Sequence, residues 1–106
     1  MVTQRENRTD PIVGQIARRL ADYEHEHPPA KAEIYRQNPV SIRIRVIDPR
    51  FAGVDRIDRE EDIWRHLEAL PEEVLADITM LLVLTPAEAE KSFANYEFEH
   101  PLPSRL

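Results

Sequence analysis

Val40-Ser41-Ile42-Arg43-Ile44-Arg45-Val46-Ile47-Asp48-Pro49 is the stretch that decides the fold. Val40, Ile42, Ile44 and Val46 occupy alternate positions with Ser41, Arg43 and Arg45 between them, the period-two pattern of a strand with one buried face. Pro49 cannot donate to a ladder, and Pro49-Arg50-Phe51-Ala52-Gly53 reads as the turn that ends the strand. Upstream, Gln37-Asn38-Pro39 is turn material and Lys31 to Tyr35 reads as extended, so the two segments are predicted to form a hairpin.

Helical periodicity flanks this hairpin on both sides. Asp10 before Pro11 is a capping signal, and Ile12, Ile16, Leu20 and Tyr23, widened by Val13 and Ala17, mark a first helix that ends near Pro28-Pro29. Asp58 with Glu61 three residues later predicts the start of a second helix, whose buried stripe is Ile63, Leu67, Leu70 and Val74, with Trp64 at its edge. Pro71 divides that run into a long helix and a short one beginning Pro71-Glu72-Glu73. Ile78 to Leu84 is apolar at nearly every position, which predicts a strand buried between layers. Thr85-Pro86-Ala87-Glu88 combines a cap, a first-position proline and a third-position glutamate, the most specific local signal in the chain, and opens a last helix reaching about Phe93. Residues 1–9 read as disordered, 10–93 as one domain, and 94–106 as an extended tail. The predicted build is α+β in two layers, a three-stranded sheet with helices packed on one face and the order αββααβα.

At 106 residues the chain suits one core, and it has no cysteine, which excludes disulfides, thiolate metal sites and cysteine nucleophiles. No apolar run approaches the roughly 20 residues that span a bilayer, and the opening MVTQRENRTD has no hydrophobic signal core, so a cytoplasmic protein without membrane contact is expected. The net charge of -6 is unevenly spread. Residues 36–56 carry five arginines against two aspartates, whereas 58–77 carry eight acids against two arginines.

The order of elements, together with Ile42 to Asp48, Phe51-Ala52-Gly53, Arg56, Arg59, the helix from Asp58 and Leu84-Thr85-Pro86-Ala87-Glu88, resembles the BolA-like family and its type II KH-like fold over roughly residues 10 to 93. Phe51 and Gly53 match that family's F-x-G turn, Arg59 its helix-opening arginine, and Thr85, Pro86 and Glu88 its T-P-E-E ending. The family's two histidines fall on Glu60 and Asp77 here, and the loop carrying another potential cluster ligand is reduced to Gln37-Asn38-Pro39. The resemblance implies pairing with monothiol glutaredoxins in iron–sulfur traffic. Without cysteine or those histidines, such a role is confined to docking, and no cofactor is expected. Type II KH domains grip nucleic acid through a G-x-x-G loop, which is missing.

The residues themselves offer little catalytic chemistry. There is no P-loop, no G-x-S-x-G and no G-x-G-x-x-G, and the carboxylates look like solvated helix starts, so no enzyme is expected. His25 and His27 close a helix whose dipole they complement, His66 stands one turn after Asp62, and His100 has no visible partner, so none is assigned to a metal. The arginines are more informative. Arg43 and Arg45 share one face of the central strand with Arg36 nearby, and Arg50 and Arg56 continue the basic segment. One reading pairs these arginines with the chain's own acids or leaves them to solubilise an open sheet face. The other makes them the binding surface of a non-catalytic adaptor or regulatory domain, whose partner is a protein, a second copy in a homodimer or, as the alternative, a nucleic acid. In the tail, Tyr96 and Phe98 alternate with Asn95, Glu97 and Glu99 at strand spacing, suited to covering a sheet edge of the same domain or docking on a partner. Trp64 and Phe51 read as packing residues.

Overall fold

A computed structural model describes residues 2–4 and 10–101. Thr3–Gln4 form a two-residue strand, β1, and the long helix α1 (Pro11–Glu26) follows. Asp10 caps α1, its Oδ1 accepting from the backbone N–H of Ile12 at 3.0 Å and of Val13 at 3.1 Å. The hairpin is β2 (Lys31–Asn38) and β3 (Ser41–Ile47), after which a 3-10 turn over Pro49–Phe51 leads to α2 (Arg56–Leu67). Gly53 adopts a φ of 77° in this connection, a conformation that side chains rarely tolerate. α2 begins earlier than the Asp58–Glu61 spacing predicts: Asp55 is the cap residue without a side-chain bond, and Asp58 sits in the first turn beside the positive helix end. After Pro71 come α3 (Glu72–Leu75), β4 (Ile78–Leu84), α4 (Pro86–Lys91) and α5 (Phe93–Glu99). Thr85 and Glu88 form the expected capping box at the start of α4.

The sheet is mixed and its order is β1-β2-β3-β4. β1 lies parallel to β2, β2 antiparallel to β3, and β3 parallel to β4, with Ile34 opposite Ile44 and Val46 opposite Val83. Three strands are predicted and a fourth is present. β1 escapes the periodicity because two residues held by backbone pairing to Glu33 and Ile34 carry no alternation to detect. The rest of the expected N-terminal disorder, residues 1 and 5–9, and the end of the tail, 102–106, lie outside the described residues.

Ala32, Ile34, Ile42, Ile44 and Val46 turn to one face, where Val13, Ile16, Leu20 and Tyr23 of α1 and Ile63 and Leu67 of α2 complete the core. Val40 begins the predicted alternation but belongs to the turn and is exposed. The second correction concerns the opposite face. Residues 93–99 are helical, not extended, and α5 lies on the side of the sheet to which Tyr35, Arg43 and Arg45 point. Helices therefore cover both faces, in place of the two-layer arrangement with one open face. Asn95 and Phe98, three residues apart, are the buried positions of α5, a spacing that serves one helix face. A third correction concerns Ile78–Leu84: β4 is an outer strand, and apart from Val83 its apolar residues are only half-buried. Among the described residues no helix is long and apolar enough to cross a membrane.

Candidate functional site

The arginine cluster comes together in part, and its members already have partners in the chain. On the α5 face, Arg45 Nη2 donates to Glu33 at 2.6 Å across the hairpin, while Nη1 reaches Asn95 at 2.9 Å and Glu99 at 2.5 Å. The Arg45 guanidinium also lies 4.8 Å from the centre of the Phe98 ring. Arg43 contacts Glu97 and the Tyr35 hydroxyl, each at 3.3 Å, and the Tyr35 hydroxyl donates to the Phe98 carbonyl at 2.7 Å. Phe98 is completely buried against Tyr35. α5 thus supplies an aromatic plug and two carboxylates to the surface that the strand pattern marks as basic. A nucleic-acid backbone approaching Arg43 and Arg45 meets α5 first.

Arg36 stands elsewhere. Its Nε donates to Asp10 Oδ2 at 2.6 Å and its Nη1 to Asp77 at 3.3 Å, so it ties the start of α1 to the start of β4. Asp10 is partly buried, which raises its pKa, but the Arg36 bond, the backbone N–H groups and the Arg36 charge together hold the carboxyl below its usual range. The Asp10 bond in turn raises the pKa of Arg36. Arg50 lies at the other end of the hairpin, 3.5 Å from the buried carboxylate of Asp48, and Arg56 is exposed on α2 with Glu60 one turn away. The five arginines therefore occupy four separate places.

His27, His66 and Asp48 surround Tyr23. Asp48 accepts the Tyr23 hydroxyl at 2.8 Å and the Arg50 backbone N–H at 2.9 Å, closing the turn after β3 over the end of α1. Burial and the bond to Asp48 push the Tyr23 phenol far above its usual range, so it keeps its proton at neutral pH. His27 and His66 meet the Tyr23 ring edge-on at 4.5 and 5.4 Å. His66 also contacts the Asp62 carbonyl and the Glu26 carboxylate, whereas the Asp62 side chain turns to Arg65. Among the described residues no three histidine, aspartate or glutamate side chains converge as metal ligands.

The surface that the sequence places least well is the outer edge of β4. Ile78-Thr79-Met80-Leu81-Leu82-Val83-Leu84 contains no charge, and no described strand pairs with its outer side. Leu81 and Val83 turn to the core; Met80 and Leu82, opposite Arg43 and Arg45, turn to the α5 face and remain half-exposed. An edge of this kind exposes alternate backbone groups and apolar side chains together, and natural proteins usually interrupt it with lysine, proline or a bulge. Here there is one irregularity, at Thr79, where the register with β3 shifts and the hydroxyl bonds to Ser41.

Arg59 closes one end of that edge. Buried at the start of α2, it donates to the carbonyls of Val54 at 2.8 Å and Val83 at 3.1 Å, and grips Glu88 with both terminal nitrogens at 2.6 and 3.2 Å. The bonds from Arg59, then the backbone N–H of Thr85, draw the Glu88 carboxyl down to about 2. Beyond this staple a groove of about 460 Å3 opens over Val83 and Leu84, with Arg56 and Lys91 at its margin. Pattern reasoning identifies Arg59 only through the family resemblance, because its partners lie five, 24 and 29 residues away. The edge was visible as an uncharged apolar run; its outer position was not. The chain matches no protein-family model, and comparison with curated proteins and with solved structures found no match.

Proposed function

We propose that this protein is a non-catalytic interaction module, an adaptor or regulatory domain, whose docking surface is the outer edge of β4. The observation that carries this reading is a seven-residue strand with no charged side chain and no described neighbour on its outer side. A partner segment that adds a strand satisfies the outward backbone groups of β4 ahead of Val83, whose carbonyl Arg59 holds, and covers Met80 and Leu82 in one step. The arginine face supports the same reading differently: with Arg43 and Arg45 engaged by α5, binding falls to the edge, not to the middle of the sheet.

Capture from native lysate with nuclease treatment tests this, using wild type, Leu82→Lys and the Arg43→Ala plus Arg45→Ala protein, with captured proteins identified by mass spectrometry. A lysine on the half-exposed edge places a charge where a partner strand packs, so the Leu82→Lys protein loses the wild-type partner and the double arginine variant, once shown to be folded, keeps it. Retention by Leu82→Lys with loss in the arginine variant refutes the edge in favour of the sheet face.

A further inference from the structure

We infer that the strand received by the β4 edge is β4 of a second copy of this chain, in an antiparallel pairing about a twofold axis at Leu81; this rests on the reading of β4 as a docking edge. A symmetric pairing centred there sets Met80 of each copy opposite Leu82 of the other and Leu81 opposite its own counterpart. The Met80–Leu82 pairs on the α5 face and the central Leu81 pair are apolar, and Thr79 falls opposite Val83 at each flank. The two four-stranded sheets become one continuous sheet of roughly eight strands, a size that open sheets tolerate.

The charges at the ends of β4 select this partner and this direction. Before the strand stand the exposed acids Glu72 and Glu73 on α3. Past its other end, the groove over Val83 and Leu84 is lined by Arg56, Arg59 and Lys91; Glu88 grips Arg59 and Glu60 lies against Arg56, which leaves a local surplus of one positive charge. An antiparallel twofold pairing carries the acidic end of each copy to the basic end of the other, and the symmetry repeats the attraction twice. A parallel pairing would set acids on acids. The net charge of -6 opposes the approach of two copies at long range, but physiological salt screens repulsion beyond roughly 8 Å, whereas the end contacts are local.

Sedimentation velocity from micromolar to millimolar concentration tests the pairing through exchanged charges. Wild type passes from monomer to dimer mass, and Leu82→Lys remains monomeric. Glu72→Lys plus Glu73→Lys, and separately Arg56→Glu plus Lys91→Glu, each weaken dimerisation by about tenfold or more. An equimolar mixture of these two variants restores it, because both ends of the mixed dimer again oppose unlike charges; that recovery also shows that both variants fold. Dimers that persist in Leu82→Lys, or a mixture that fails to recover, assign assembly to another surface and overturn the inference. A wild type that stays monomeric overturns it too. If that monomer captures a lysate partner that Leu82→Lys loses, only the self-pairing fails and the docking edge stands.

Discussion

Replacing Arg59 with leucine leaves the Val54 and Val83 carbonyls without their donor and Glu88 without its cation. Losing hydrogen bonds from a buried charged group in this way costs about 2 kcal/mol or more, so Arg59→Leu lowers the denaturant midpoint clearly, while Arg56→Ala, on the exposed side of the same helix, shifts it little. The Glu88 carboxyl carries a pH signature of the same staple. Its folded value of about 2 lies below the ordinary 4.5, so its contribution is fully present above pH 4.5 and is lost as the pH falls through 2. Asp10, also depressed, adds to the same acid limb. Thermal melts between pH 6 and 2 therefore fall less steeply for Glu88→Gln than for wild type; equal slopes contradict the Arg59–Glu88 assignment.

At the scale of elements, α5 is held by two kinds of contact whose magnitudes differ. Glu97 and Glu99 are each 45% exposed, and such half-wet ion pairs contribute at most about 1 kcal/mol apiece. Phe98 is fully buried between Tyr35 and Arg45, and truncating a buried phenylalanine costs about 3–4 kcal/mol. The plug outweighs the charges: Phe98→Ala lowers stability in urea more than Glu97→Gln and Glu99→Gln combined, by about twofold. Single-stranded DNA binding, read by fluorescence anisotropy, is accordingly weak in the wild type; strong, steeply salt-dependent binding that Arg43→Ala abolishes contradicts the closed face. The tail's helical form explains why the strand-like alternation of Tyr96 and Phe98 misleads. Those residues are also two of seven helical positions, and only the Asn95–Phe98 spacing records which side is buried. The period of β3 and the caps Asp10, Pro11 and Thr85 are local signals and locate their elements; a helix in the tail and a two-residue β1 depend on contacts with distant β2, which local patterns do not encode.

Over the whole molecule, the α+β class follows from alternation in one segment and helical stripes around it, and the structure agrees with that class. The placement of charge does not follow so directly. The basic segment 36–56 looks like one surface in the sequence, yet Arg36 serves the α1 end, Arg43 and Arg45 meet α5, and Arg50 and Arg56 lie apart. Likewise Ile78–Leu84 reads as a buried strand from its hydrophobicity, because composition alone does not distinguish a central strand from an outer one. What remains outward is an apolar edge with opposite charges at its two ends, together with the exposed aromatics Phe93 and Tyr96 on the outer side of α5.

Amide hydrogen exchange on the full chain, read residue by residue at low and high protein concentration, tests the closed face and the open edge together. In dilute protein α5 amides near Asn95 and Phe98 are protected and alternate amides of β4 exchange quickly; at high concentration those β4 amides become protected while α5 is unchanged. Rapid exchange throughout α5, with β4 uniformly protected even in dilute protein, contradicts the account, because the arginine face is then the open surface and the edge is already closed.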